Sequence, residues 1–540
     1  MSQATIDAQA GSSAGLDGSG AGAGNGRMPR QIPYIIANEG CERFSFYGMR
    51  NILTPFLIST LLLFLPEADR AGEAKHVFHT FVIGVYFFPL LGGWLADRFF
   101  GKYNTVLWLS LVYCTGHACL AAFENNLNGF YVGLFLIALG SGGIKPLVST
   151  FVGDQFDQTN KHKAKLVYDA FYWIINFGSF FASLLMPIFL RQYGAAVAFG
   201  IPGILMFIAT VVFWSGRKKY VHVPPAPPDP HSFMQVSKTA LLAHAPGQGR
   251  PGLTVAAIGA IGAVASLAMS WSWGFVIAAC LALVLILAFG GVGVSMQLER
   301  ARLKHPAEAV DGVRAVLRIL IVFALVTPFW SLFDQKASTW IVQANAMTQP
   351  TLSLFGSDFT FQPAQMQALN PLLVMILIPF NNLALFPLIR MLGIEPTALR
   401  RMTAGIAFTA LAWVVIGAIQ IHMDSGTPTS MAWQILPYAI LTLGEVLVSA
   451  TGLEFAYSQA PKAMKGIIMA FWSLAVTVGS LWVLIVNASV KNDAVIAWIK
   501  TTGLGVIAAQ MVFFAAFAFV AALVFGWYAT RYPLTDNYRS

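Results

Sequence analysis

Runs of about twenty apolar residues recur along most of the chain, and they restrict the fold more than any other feature. Such a run crosses the hydrocarbon core of a bilayer as a helix, and in lipid a spanning helix must satisfy its own backbone. The runs lie near residues 33–65, 77–97, 104–123, 128–152, 166–190 and 195–215. Two more, 253–270 and 273–296, are separated only by Trp271-Ser272. A last set follows near 313–343, 366–391, 400–421, 432–458, 466–487 and 503–530. The 540 residues are 57% hydrophobic and only 11% charged, against about 25% charged in a soluble domain. The fold class is therefore an all-α polytopic membrane protein. Six spans, a linker, a hairpin and six spans make a 6+2+6 plan. Equal halves suggest two six-helix bundles rocking about a central site.

The domains read as a Gly/Ala/Ser-rich segment 1–31, expected to be disordered, a bundle 32–215, a Pro-rich polar linker 216–252 with Arg217-Lys218-Lys219 and Pro224–Pro230, the transmembrane hairpin 253–296, a second bundle with its preceding linker 297–530, and a tail 531–540. The N-terminal segment lacks the apolar core of a signal peptide. One set of loops carries Arg27/Arg30, Arg98/Lys102, Lys161/Lys163/Lys165, Arg217–Lys219, Arg300/Arg302/Lys304, Arg390/Arg400/Arg401, Lys462/Lys465 and Arg531/Arg539. The alternate loops are mostly acidic: Glu67, Asp69, Glu73, Glu124, Asp358 and Asp424. By the positive-inside rule the basic loops and both termini are expected on the cytoplasmic side.

The net charge of +9 sits in these short loops, which argues against nucleic acid as a partner. The four cysteines, Cys41, Cys114, Cys119 and Cys280, lie in apolar runs without C-x-x-C spacing, so no disulfide framework or metal site is expected. No G-x-S-x-G, H-E-x-x-H or phosphate-cradling loop occurs, and neither enzymatic activity nor a cofactor is expected.

The first span holds Glu39-Gly-Cys-Glu42-Arg43-Phe-Ser-Phe-Tyr47-Gly-Met-Arg50. On a helix Glu39, Glu42, Arg43, Tyr47 and Arg50 share an arc of roughly 140°. An ion at bilayer depth costs about 2.5–3.5 kcal/mol on insertion scales, so such residues usually face a water-filled cavity and carry function. A helix-packing ion pair would account for Glu39 and Arg43 but poorly for a second carboxylate and a second arginine. His79 and Tyr86 share a face of span 2, where a lone histidine is more often a packing partner than a proton carrier. The loop Gly92-Gly93-Trp-Leu-Ala-Asp97-Arg98-Phe-Phe-Gly101-Lys102 allows a tight turn, with Asp97 able to pair with Arg98.

Lys145 stands in an otherwise uncharged span, in Gly140-Ser-Gly-Gly143-Ile-Lys145-Pro146, among small residues that permit close packing. Its distance from the basic end makes snorkelling strained. Tyr172 and Asn176, at i and i+4, offer two polar tips on one face. In the second half Trp330, Phe333 and Asp334 lie in span 7, and Asn370 precedes Pro371 in span 8. Glu445, Ser449 and Glu454 lie in span 10 and Trp472 in span 11. The aromatics alone read as packing. Glu445 carries the same insertion cost as Glu42, whereas Glu454, nearer the cytoplasmic end, reads as hydrated.

Together these residues resemble the proton-dependent oligopeptide transporter (POT) family of the major facilitator superfamily, in the fourteen-helix form typical of bacterial members. Glu39-x-x-Glu42-Arg43-Phe is similar to its E-x-x-E-R-F motif, and Phe171-Tyr-x-x-Ile-Asn176-x-Gly-Ser to its F-Y-x-x-I-N-x-G-S motif. The Gly-x-Gly-x-x-Lys145-Pro stretch, the Glu445…Thr-Gly-Leu stretch and the superfamily's G-x-x-x-D-R-x-G-[RK] loop also fit. The resemblance covers roughly 32–530. Phe46 and Leu147 depart from it, standing where the family usually has a tyrosine and an asparagine.

The resemblance implies symport of protons with di- and tripeptides by a monomer in a bacterial inner membrane. It implies proton coupling through Glu39, Glu42, Arg43 and His79. Arg43, Arg50 and Lys145 would engage the peptide carboxylate, and Glu445 its amino group. Tyr47, Tyr86, Tyr172, Asn176, Asn370 and Ser449 would hold polar groups, while Trp330, Phe333 and Trp472 would line side-chain pockets. Asp334 pairing with Arg50, and Lys145 with Glu445, would tie the halves together. Independently, a zwitterion needs a cationic patch facing a carboxylate, and broad substrates suit contacts to end groups and backbone. A superfamily symporter for nitrate or an amino-acid-like anion is the alternative. A channel would favour rings of like charge, unlike the single charges of mixed sign here, and a receptor would need a signalling domain.

Overall fold

Helix-compatible apolar runs punctuated by glycine and proline produce an architecture made almost wholly of helices. The computed structural model describes residues 28–156, 160, 164–225, 229–244, 249–354, 357–459 and 465–533. The expectation of disorder for residues 1–27, Lys161, Lys163, Lys462, Arg539 and part of the Pro-rich linker lie outside the described residues, as do the side chains of Lys165, Glu454 and Lys465.

The first bundle comprises α1 (Ile32–Phe56), α2 (Glu67–Leu95), α3 (Gly101–Ala122), α4 (Leu127–Gly153), α5 (Ala164–Tyr193) and α6 (Ala195–Ser215). Pro33 at the first turn of α1 uses a position whose N–H needs no helical partner. Gly101, at φ 74°, breaks the backbone between α2 and α3 in the left-handed region that glycine tolerates. Small residues then fix the directions of three helices. Along α4, Ala138 and Gly143 approach Gly84 and Gly92 of α2 in the same order, whereas Gly133 and Gly140 approach Gly116 and Tyr113 of α3 in reverse. The chain thus reverses at Gly101. A Cβ on Gly92 would collide with the Gly143 carbonyl, so the glycine-rich stretch is a surface of close helix approach.

The linker holds a short helix, α7 (Phe233–Leu242), that the composition did not announce. The hairpin is α8 (Pro251–Ala268) and α9 (Phe275–Gln297), meeting at Gly252 and Gly293, where a side chain on either would strike the other's backbone. Ile277 and Cys280 of α9 pack against Ile83 of α2 and Leu481 and Leu484 of the second bundle.

The second bundle comprises α10 (Ala307–Phe333), α11 (Leu369–Phe380, prolonged to Met391 through a π turn), α12 (Ala398–Asp424), α13 (Ile435–Gln459), α14 (Lys465–Ser489) and α15 (Val506–Ala529). The run expected to be one span over 313–343 is interrupted: Asp334–Ala337 is a 3-10 turn, and a short helix Thr339–Asn345 follows. A two-stranded hairpin, β1 (Thr351–Leu354) with β2 (Ser357–Thr360), and a 3-10 turn, Pro363–Ala368, then lead into α11. Twelve segments are long and apolar enough to cross a membrane. One of them, Glu67–Ala122, contains both α2 and α3, and the charge-bearing α1 is additional, making fourteen membrane-length helices among the described residues. The bundles meet along α2 with α14 and along α5 with α11 and the 3-10 turn.

Candidate functional site

The arc on α1 is buried: Glu39, Glu42 and Arg43 are each 1% exposed. Arg43 Nε lies 2.8 Å from Glu39 Oε1 and 2.7 Å from Glu42 Oε2, so one guanidinium serves two carboxylates. Ser141 of α4 donates to Glu42 Oε1 at 3.4 Å. One turn further along α4 lies Lys145. Its ammonium sits 4.5 Å from the Phe46 ring centroid and 4.8 Å from that of Tyr86, and it has no hydrogen-bond partner among the described residues. The close packing of α2 on α4 through glycines brings Tyr86 within reach of that cation.

Arg50, two turns beyond Arg43, crosses to the other bundle and binds Asp334 Oδ1 at 2.5 Å. The 3-10 turn at Asp334–Ala337 aims this carboxylate out of the line of α10. Thr54 donates to the Ala337 carbonyl at 2.7 Å, and His79 Nε2 shares a 3.0 Å hydrogen bond with Ser338 Oγ. Two further ties come from the 3-10 turn before α11. Gln365 donates to the Leu184 carbonyl at 2.9 Å, and Gln367 to the Asn51 carbonyl at 3.2 Å. The Asn51 carbonyl is available because Pro55, four residues on, has no N–H. Side-chain hydrogen bonds between described residues of the two bundles thus gather on the side of the seam that carries the acidic loops.

Behind them lies a central cavity of about 30 Å³, water-sized rather than peptide-sized. Of the expected residues, Tyr47, Arg50, Tyr86, Asn176, Phe333, Asp334 and Asn370 line it. Glu445 stands behind Asn370, which donates to Glu445 Oε2 at 2.6 Å and to Thr442 at 3.1 Å. Several expected residues are elsewhere. Trp330 and Trp472 pack edge to face at 5.8 Å, and Trp472 is fully buried. Ser449 is buried and Tyr172 half-buried, and neither hydroxyl has a hydrogen-bond partner among the described residues. Asn176 turns one amide N–H back to the Tyr172 carbonyl at 3.0 Å, so only part of its polar tip faces the cavity.

Two expected pairs are not formed. Lys145 does not meet Glu445 here: the cation rests on two rings of its own bundle, and the carboxylate is held by Asn370. Nor does Asp97 bond Arg98. Neighbouring helical side chains diverge by about 100°, and the ion pair at that end is instead Lys102 with Asp154 at 2.7 Å.

Sequence reasoning passed over Lys336, 4% exposed, whose ammonium caps the Phe333 ring at 3.1 Å and lines the cavity beside Asp334. Its signal was present, a charge inside an apolar span. Arg43, Arg50, Lys145 and Lys336 are therefore buried along with Glu39, Glu42, Asp334 and Glu445, and Lys75 is a further buried cation. Gln365, Gln367, Ser179 and Ser183 carried no such signal.

The model of the POT family matches residues 103–247 and 291–503. Solute carrier family 15 member 2 of Mus musculus is 32% identical over 440 residues, 78% of this chain and 54% of that protein. Solute carrier family 15 member 2 of Oryctolagus cuniculus is 33% identical over 440 residues, 79% of this chain and 53% of that protein. The chain spans about half the length of these relatives. Among solved structures, the POT family transporter PepTSo is 65% identical with a TM-score of 0.92, covering 95% of this chain and 100% of that one. A mutant peptide transporter POT in complex with alafosfalin is 25% identical with a TM-score of 0.71, covering 98% of each chain. With its family model spanning more than half of the sequence, this chain belongs to the POT family and has the family's major facilitator fold.

Proposed function

We propose that the chain is a proton-coupled symporter that imports di- and tripeptides by alternating access, acting as a monomer in a bacterial inner membrane with both termini cytoplasmic. The observation that carries this reading is the buried Glu39–Arg43–Glu42 cluster beside an ammonium, Lys145, that has no hydrogen-bonded anion among the described residues. One guanidinium between two carboxylates lets one of them accept a proton while the other still neutralises it. Glu42, which also faces Ser141 and Lys145, is that carboxylate, with Glu39 as its neighbour.

The charge balance supplies the coupling. With Glu42 ionised and Lys145 charged, the first bundle's cluster is neutral. A peptide carboxylate arriving beside Arg43 and Lys145, with Arg50 still neutralised by Asp334, makes it negative, and protonation of Glu42 restores neutrality in a site where unpaired charge is costly. The peptide amino group goes to Glu445 on the second bundle. A zwitterion bridging the bundles competes with Arg50–Asp334, and differential binding of this kind shifts the population between two conformations. Tyr47, Tyr86, Asn176 and Asn370 hold peptide polar groups, and Phe333 borders the side-chain space. His79, bonded to Ser338 across the seam, ties protonation to the outer contact.

Uptake of dialanine into proteoliposomes, with and without an inward proton gradient, tests the reading. Accumulation should require the gradient and disappear with an ionophore. Uptake indifferent to the ionophore would refute proton coupling, and competition by nitrate but not by dialanine would replace the peptide with an anion.

A further inference from the structure

On the outer face, above the closed seam, the two bundles leave a cleft of about 440 Å³. That is within the range of about 300–1,000 Å³ in which small-molecule sites fall, whereas the central cavity in the same conformation is water-sized. The cleft carries one charge of each sign. Glu124 projects from the α3–α4 loop and Arg191 from the last turn of α5, and neither forms an ion pair among the described residues. Asn125, Gln349 and Gln362 add amides from both bundles.

The position of the cleft is as telling as its lining. Pro363 and Ala364 wall it on one side, and three residues later Gln367, in the same 3-10 turn, lines the central cavity and holds the Asn51 carbonyl. A molecule in the cleft therefore presses on the turn that separates it from the central site.

Resting on the peptide-transport reading, we infer that this outer cleft is a first docking site for zwitterionic di- and tripeptides, with the carboxylate at Arg191 and the amino group at Glu124, occupied before the seam opens. Both groups are partly solvated, so the site is weak and is filled at high peptide concentration. It also selects for two free ends before any side chain is met.

The test uses the full chain in proteoliposomes with Asn125→Cys, an exposed position in the cleft, and a charged, membrane-impermeant maleimide added outside. Labelling of the chain without this substitution gives the background from the partly buried native cysteines. Dialanine should slow labelling of the new thiol saturably. Arg191→Gln and Glu124→Gln should each raise the half-protecting concentration about threefold or more, acetylated dialanine should protect less, and Glu445→Gln should leave protection unchanged. Absence of protection in a protein that still takes up dialanine would overturn the docking site alone. So would protection that responds to Glu445→Gln as strongly as to Arg191→Gln, since it would then report the central site. Failure of the unsubstituted protein to take up dialanine would instead overturn the peptide reading itself.

Discussion

Replacing Gln367 by leucine should loosen the outer seam through a single backbone carbonyl. Pro55 deprives the Asn51 carbonyl of its helical donor, and Gln367 Nε2 supplies one from the opposite bundle at 3.2 Å. Asn51 is 2% exposed and Gln367 3%, so in the closed arrangement bulk water does not reach the carbonyl. Leucine keeps the volume and removes the donor. A buried carbonyl left unsatisfied costs about 1–3 kcal/mol. The cost falls on the closed state alone, because opening the seam hydrates the carbonyl. The closed-to-open ratio should therefore drop by roughly fivefold to 150-fold, since ~1.4 kcal/mol is tenfold. Pro55→Ala offers the internal control. It returns an N–H to α1, the carbonyl is satisfied within its own helix, and Gln367→Leu on that background should shift the ratio by about twofold to threefold or less. Spin labels at Thr60 and Thr351, both exposed and on the side of the acidic loops, report the two populations as two distances. An equal shift by Gln367→Leu with and without Pro55→Ala would refute the reasoning, because the glutamine would then act on something other than the proline-freed carbonyl.

Glu42→Gln should abolish gradient-driven uptake while leaving peptide exchange across a gradient-free membrane; a variant that still concentrates dialanine would remove Glu42 from the coupling. Asp334→Asn leaves the buried Arg50 guanidinium unpaired, at about 3–5 kcal/mol, and the same spin-label pair should report a predominantly open outer seam. Acetylating dialanine should weaken binding by roughly two orders of magnitude, since the acetylated end no longer brings a cation to Glu445. Glu445→Gln, which binds ordinary dipeptides poorly, should lose little more on acetylation, and equal losses in both proteins would turn the peptide the other way round. Outside the membrane, His305 shares a 3.0 Å hydrogen bond with His231 and a 2.9 Å one with Thr239 of α7. Partial burial, and then His231 and Lys304, hold its imidazole below the ordinary value of 6.5. The folded state thus favours neutral His305, so docking of α7 should be intact above 6.5 and weaken as pH falls below it. The protection of the Phe233–Leu242 amides, measured relative to their intrinsic exchange rates at each pH, should fall on acidification, and His305→Gln should flatten that fall.

The sequence by itself determined the parts that depend on local composition. Apolar runs of bilayer length specify spanning helices whatever their neighbours, because an unsatisfied backbone is prohibitively costly in lipid. Equal sets of six such runs marked the two bundles. Glu39, Glu42, Arg43, Arg50, Lys145, Asp334 and Glu445 were legible for the same reason, since each is an expensive residue in an apolar span; Lys336 obeyed the rule and was overlooked. Tertiary structure alone decided how these charges are shared. Arg50 reaches Asp334 because a 3-10 turn bends the chain out of α10. Lys145 and Glu445, which the family resemblance also pairs, remain apart, one stacked on rings of its own bundle and the other held by Asn370. Nothing in the neighbourhood of Gln367 marks it as a tie to Asn51, 316 residues away. A partner so distant depends on how two bundles meet, and periodicity along a helix records which face is polar without recording what that face will touch.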